Sequence, residues 1–337
     1  GQFNDAVPLL VEATNRDPQD FWAWFLLGVC RDQMSSSREA VACYSTCIAL
    51  APRSPWAWLN RGLAHLRLQN HQQAAVDLDK AIELRPKLAE AYRNRALARQ
   101  GLRKYAAAVA DLTQALELGA SPTQIYFLRA EARQRAGDQA GAKRDREEGF
   151  RHEPEDEMGW LSRGYARMNV EPEAALADFD KALAFNPRSL AALQNKAHVL
   201  SKLGRNKEAA KALDKAVQVY PDFVRARAGR GVMLARLGQR DLAHEDADAC
   251  LARNNEPVTL YQLAGIYALT SQQHAADRQQ AFRLLSVSLQ KGFGFDLLDS
   301  DRDLDPIRNC PEFRTLVAAA HAIRSTATDK NPSQVRK

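Results

Sequence analysis

Apolar residues in this chain follow a helical spacing, and the spacing itself repeats every 34 residues. Prolines mark the period at Pro18, Pro52, Pro86, Pro154, Pro187 and Pro221. Superposing successive units predicts two helices in each. The first opens on a ring (Trp24, Trp58, Tyr92, Tyr126, Trp160), and four places on it carries a small residue (Gly28, Gly62, Ala96, Ala130, Gly164, then Ala197, Gly231, Gly265). The second carries Ala40, Ala74, Ala108, Ala142, Ala175, Ala209 or Ala243, and seven places on another small residue (Cys47, Ala81, Ala115, Gly149, Ala182, Ala216, Cys250). Small residues at facing places let two helix axes approach closely. Large apolar residues between them (Tyr44, Leu78, Leu112, Phe179, Leu213) fill the seam. The proline ends each second helix, because it lacks an amide hydrogen and biases the residue before it away from helix. The expected fold class is all-α.

The register W-x-x-x-G, then A-x-x-x-Φ-x-x-A, then P resembles the tetratricopeptide repeat (TPR) over residues 1–257, and more loosely to about 290. The resemblance implies a right-handed superhelix of helical hairpins, an α-solenoid, with a concave groove lined mainly by first helices. It divides the chain into the second helix of a truncated repeat (1–18), seven repeats (19–257), a degenerate repeat with capping helices (258–324) and a disordered tail (325–337). Beginning in mid-repeat, the chain reads as a fragment of a longer polypeptide with an upstream domain. One residue is missing between Trp160 and Ala175, near Val170 and Pro172, and the proline place holds Ala120 and Asn255 in two units. These departures predict altered turns and no break in the array.

Repetition changes what length means, since each repeat touches only its neighbours and 337 residues need not form two globular cores. No apolar run approaches a membrane span. Five cysteines without a C-x-x-C read as small buried thiols in a reducing, cytoplasmic compartment, and no metal or cofactor is expected. A net charge of +6 raises the question of nucleic acid. The internal alignment answers it in part. Arginine precedes the small residue of five first helices (Arg61, Arg95, Arg129, Arg163, Arg230), and the second helix of each of those repeats carries aspartate at one fixed place (Asp77, Asp111, Asp145, Asp178, Asp246). Repeats without the arginine lack the aspartate: they hold Leu27 with Cys43, and Lys196 with Ala212. The expectation is a structural Arg–Asp pair inside each of the five hairpins. The other basic residues, such as Arg99, Arg103, Lys104, Arg133, Arg135, Lys143 and Arg144, alternate with acids, which disfavours nucleic-acid binding.

The resemblance places a partner surface on the first helices, at Trp22, Phe25, Val29, Trp56, Leu59, Asn60 and Leu63, then Arg93, Asn94, Leu97, Phe127, Glu131, Leu161 and Tyr165, then Gln194, Asn195, His198 and Arg225. The early groove is aromatic, which favours a peptide or helix with apolar anchors. Trp22 and Phe25 read equally as packing against a preceding helix. Some TPR proteins grip a terminal carboxylate with lysines and asparagines. Asn60 and Asn94 match an asparagine of that clamp, but Phe25 and Leu59 stand at its lysine places, so the clamp is not expected.

Residues 258–290 read as one more hairpin with a turn lengthened over Thr270 to Asp277. Beyond it, alternating Asp299, Asp301, Asp303 and Asp305 suggest a calcium loop, but Leu304 and Cys310 stand where glycine and glutamate are needed. Asp305 is instead expected to cap a short helix opened by Pro306, with Pro311 opening another whose Phe313, Leu316 and Val317 cover the last repeat. This ending resembles the C-terminal TPR regions of some bacterial multidomain proteins, among them eukaryotic-like Ser/Thr kinases. No kinase motif is present, and no H-E-x-x-H or G-x-S-x-G occurs, so no enzyme is expected in this chain. The expected function is a scaffold binding a protein or peptide in its groove. The alternatives are a recruiting or regulatory arm of a multidomain enzyme such as a Ser/Thr kinase, and nucleic-acid binding.

Overall fold

The computed structural model describes residues 2–34 and 36–329, of which 2, 4 and 321–329 by their backbone alone. Among the described residues it is helical throughout, with no strand. The chain divides into two compact units, Gly1–Ala166 and Arg167–Lys337, each taken by itself. The first holds α1 (Gln2–Arg16), α2 (Phe21–Gln33), α3 (Ser37–Leu50), α4 (Pro55–Arg67), α5 (His71–Leu84), α6 (Ala89–Gly101), α7 (Tyr105–Glu117), α8 (Pro122–Arg135), α9 (Gln139–Arg151) and nearly all of α10 (Glu157–Arg167). The second holds α11 (Pro172–Phe185), α12 (Leu190–Lys202), α13 (Asn206–Val219), α14 (Val224–Arg236), α15 (Arg240–Leu251), α16 (Pro257–Thr270), α17 (Ala275–Gln290), α18 (Asp305–Arg308) and α19 (Pro311–Asp329). Helices α2 to α9, and α12 to α17, pack as consecutive hairpins, and each second helix also packs on the next first helix.

The small residues set the hairpin spacing. A Cβ on Gly28 would stand 2.7 Å from the Tyr44 ring, and one on Gly62 would stand 2.9 Å from Leu78. Tyr44, Leu78, Leu112 and Phe179 are fully buried in these seams. The ring that opens the first helix has a polar task as well. Trp24 Nε1 donates to the Pro18 carbonyl at 3.0 Å, and Trp58 Nε1 donates to Pro52 at 2.9 Å. Where the seventh repeat has Arg227 in place of a ring, Nη2 reaches the Pro221 carbonyl across the same six residues. The two cysteines at small places also donate to carbonyls at the start of the facing first helix, Cys47 Sγ to that of Phe21 and Cys250 Sγ to that of Val224. Burial pushes the Cys47 thiol up to about 12 and the Cys250 thiol up to about 11, so both stay protonated.

In five hairpins the turn holds one residue with left-handed backbone. Gly137, Gly204 and Gly238 supply it, but in two repeats it is Gln69 and Arg103, both at φ 59°. The fifth repeat has lost this residue, which is the one missing from its sequence. Arg167 consequently meets Asp178 eleven residues on, whereas Arg99 and Arg133 meet their aspartates twelve on.

After α17 the chain turns at Gly292 and Gly294, both with positive φ, and a short 3₁₀ turn precedes α18. Asp301 caps that turn by accepting from the Asp303 amide. Asp305 is not the helix cap expected of it: it lies inside the first turn of α18, and its carboxylate accepts from Arg308 Nε. Arg308 also holds the backbone of this segment. Its Nη1 donates to the Leu298 and Asp299 carbonyls, and its Nη2 donates to that of Asp301. Arg236 of α14 grips Asp303 with two bonds of 2.8 and 2.9 Å and ties the segment to the array. Phe313 is buried where α19 packs on α17. Helix α19 continues through 325–329, where the sequence predicts the start of a disordered tail, and the rest of that tail lies outside the described residues.

Candidate functional site

Two features of the repeat unit bear on function: the row of charges inside the hairpins and the outward face of the first helices. In the row, Arg61 donates from Nε and Nη2 to both oxygens of Asp77, at 2.8 and 2.7 Å. Arg95 holds Asp111 in the same way, Arg129 holds Asp145, and Arg230 holds Asp246, with every bond between 2.6 and 3.0 Å. All four aspartates are buried. Arg163 belongs to the first unit and Asp178 to the second. Arg163 lies 4.4 Å over the Trp160 ring and 3.4 Å from Glu153. Asp178 accepts from Arg167 at 3.0 Å.

The third nitrogen of these arginines does something the sequence reading does not anticipate. Nη1 reaches back sixteen residues to the preceding second helix: Arg61 to Ser45, Arg95 to Asp79, Arg129 to Thr113, Arg230 to Asp214. Lys196, standing in for arginine in the sixth repeat, reaches Asp180 across the same interval. Each guanidinium therefore joins three helices. The ring three residues earlier stacks on it, with 4.9 Å from Arg61 to Trp58, 5.3 Å from Arg95 to Tyr92 and 5.4 Å from Arg129 to Tyr126. The first full repeat, with Leu27 and Cys43 at these places, closes with an apolar cluster of Val7, Leu27, Cys30 and Cys43.

The places Trp22, Trp56, Glu90 and Gln124 recur at one register on α2, α4, α6 and α8; the first three are exposed and Gln124 is buried. Trp22 is 63% exposed and Trp56 39%. Leu26, absent from the sequence-based set, is 49% exposed on the same stripe. Phe25 is half-buried, stacked on Phe21 and edge-on to Tyr44. Leu63 is half-buried, and Tyr165 is exposed on α10. Three apolar residues expected in the groove are buried. Leu59 is buried because the next repeat covers it with Leu88 and Ala91. Phe127 lies against Phe150 and the bare Cα of Gly149, and Leu161 is likewise buried. Leu59 is thus covered from the next repeat, and Phe127 from within its own hairpin.

Asn94 is also buried, at 1% exposure, but it is not satisfied. Its Oδ1 accepts two long bonds of 3.3 Å from Arg93, whereas its Nδ2 has no hydrogen-bond partner among the described residues. Arg93 also donates to Gln124 Oε1 at 3.1 Å, and Gln124 is buried too. Asn60, its counterpart one repeat earlier, turns its amide onto the Trp56 carbonyl of its own helix at 2.8 Å. Glu131 is engaged by Arg135. In the second unit Gln194 and Asn195 are half-buried, and His198 and Arg225 are exposed on their first helices.

Sequence profiles of the tetratricopeptide repeat match residues 23–54, 55–88 and 195–253. The chain is a tetratricopeptide-repeat protein. Its TPR hairpins also align with solved structures. IFIT1, a monomeric mutant solved with Gppp-AAAA, aligns over 96% of this chain and 84% of its own, at 17% identity and a TM-score of 0.59. Cut9 with Hcn1, the hetero-tetramer of APC/C, aligns over 77% of this chain and 52% of its own, at 17% identity and a TM-score of 0.52. Both alignments speak to the TPR fold. No curated protein sequence matches the chain. Among the described residues no helix is long and apolar enough to cross a membrane, and no His/Cys/Asp/Glu cluster could hold a metal.

Proposed function

We propose that this chain is a protein-interaction scaffold whose first unit takes a peptide or partner segment on the face formed by Trp22, Trp56 and Asn94. One observation carries the reading. The Asn94 amide is a buried donor with no partner among the described residues, set beyond two preceding repeats that present exposed indoles. A buried donor without an acceptor costs about 1–3 kcal/mol, so a site that keeps one is suited to receive an oxygen from outside. Indoles beside it supply the large apolar contact that dominates peptide recognition. A nucleic-acid reading gains little from the charge. IFIT1 was solved with Gppp-AAAA, but here Arg61, Arg95, Arg99, Arg129, Arg133 and Arg230 each face a buried carboxylate.

The test is affinity capture followed by mass spectrometry, comparing the wild-type chain with Trp56→Ala and Asn94→Ala after circular dichroism has shown equal helicity. A protein held by the wild type and lost from both variants supports the reading. An unchanged set of captured proteins refutes it.

A further inference from the structure

Charged groups on the outward face of the first unit neutralise one another, and this limits what the face can hold. Arg67 of α4 is bonded across the repeat boundary to Asp32 of α2, whose side chain is only 7% exposed. Arg93 lies 3.5 Å from Glu90 one turn before it, and Arg135 lies 2.9 Å from Glu131 on the same helix. These three cations of the stripe thus each have an acid of the same stripe as partner. A further cation, Arg85, lies 5.0 Å over the Trp56 ring, where it is already in a cation–π contact. What the stripe still offers is apolar surface at Trp22, Leu26 and Trp56.

We infer that the occupant of this face is an uncharged segment presenting aliphatic or aromatic side chains in series, not an acidic peptide or a nucleic acid. The inference rests on the function proposed above and narrows it to one partner chemistry. An acidic segment would have to displace Glu90, Glu131 or Asp32 from its arginine before gaining an ion pair, which leaves little net attraction. An apolar segment leaves every existing pair in place and gains by covering indole and leucine surface. Its affinity is therefore expected to be nearly indifferent to salt, because exposed charge–charge attraction is what salt screens.

The test is selection of a random-peptide display library on the full chain, followed by fluorescence polarisation with the selected peptides, synthesised, at low and high sodium chloride. The variants are Trp22→Ala with Trp56→Ala, and Trp22→Ala alone in case the double variant fails to fold. The expected peptides are rich in Leu, Ile, Phe or Trp and carry no net negative charge. They bind about tenfold or more weakly to the variants, and their Kd changes less than about twofold between the two salt conditions. Groove-dependent peptides that are acidic, and that weaken more than about tenfold in high salt, would overturn this inference while leaving the proposed function standing. Failure to enrich any peptide, or binding untouched by loss of the tryptophans, would overturn both.

Discussion

Replacing Asp77 by cysteine isolates the value of one Arg–Asp pair, because the first repeat already shows an apolar version of the same place in Leu27 and Cys43. In the native hairpin Asp77 is 3% exposed and receives two bonds from Arg61, with His65 Nε2 a further 3.9 Å away. Asp77→Cys leaves the guanidinium, four-fifths covered, with Ser45 as its remaining hydrogen-bond partner. Breaking a buried pair from one side costs about 3–5 kcal/mol, and partial exposure of Arg61 lowers the expectation to about 2–4 kcal/mol. Arg61→Leu together with Asp77→Cys copies the first repeat and removes both charges at once. Replacing a buried pair by apolar residues is often neutral, so the double variant should recover most of that loss. The assay is urea unfolding followed by circular dichroism for the wild type, both single variants and the double variant, combined as a double-mutant cycle. The reasoning fails if Asp77→Cys costs less than about 1 kcal/mol, or if the double variant is as unstable as the two single variants added together.

Gln69→Gly and Arg103→Gly should each raise the melting temperature by relieving a left-handed residue, a gain of up to about 1 kcal/mol after the entropic cost of glycine; a fall in both would refute the turn argument. Gly28→Ala should destabilise by about 1–3 kcal/mol, because its methyl meets the buried Tyr44 ring, and a calorimetric scan reads the effect directly. Burial holds His65 and His244 below the ordinary 6.5, Arg61 adding to the effect at His65 and Arg240 at His244, while Asp77 and Asp277 oppose it. Their stabilising contribution is therefore complete above pH 6.5 and is lost as pH falls through their folded values, since the unfolded chain takes up protons first. His65→Gln with His244→Gln should flatten melting temperature between neutral pH and pH 5, and an unchanged slope would count against the assignment. Asp303→Asn should loosen the segment that Arg236 ties down, seen as faster proteolysis around residues 292–301 with the hairpins intact.

How much of this was legible in the sequence depended on whether a place repeats with its chemistry intact. The seams were legible because alanine or glycine recurs at both facing places, and the hairpin pairs because arginine and aspartate vanish together. The backward bond of each arginine was hidden because its acceptor changes from Ser45 to Asp79 to Thr113 to Asp214, so no residue type marks the place. Leu59 misled for a different reason. An outward-looking helical position can be covered by the following repeat, and only packing reveals that. The alternating aspartates serve arginines: Asp303 holds Arg236, Asp305 holds Arg308, and Arg308 also bonds the carbonyls of Leu298, Asp299 and Asp301. Nothing in the sequence pattern distinguished Asn94 from Asn60, although one amide is orphaned and the other is bonded to its own helix.

The backward bonds also give each array a direction. An arginine always reaches toward the N-terminal neighbour, so losing a repeat from the C-terminal side uncovers an aspartate such as Asp79, which is already half in water and hydrates readily. Losing one from the N-terminal side strips an acceptor from a guanidinium wedged between a ring and a buried carboxylate, where water reaches it less easily. Within the first unit, fraying should therefore advance more readily from the C-terminal end toward the N-terminus than the reverse, and hydrogen exchange should show that polarity as a gradient along the second helices.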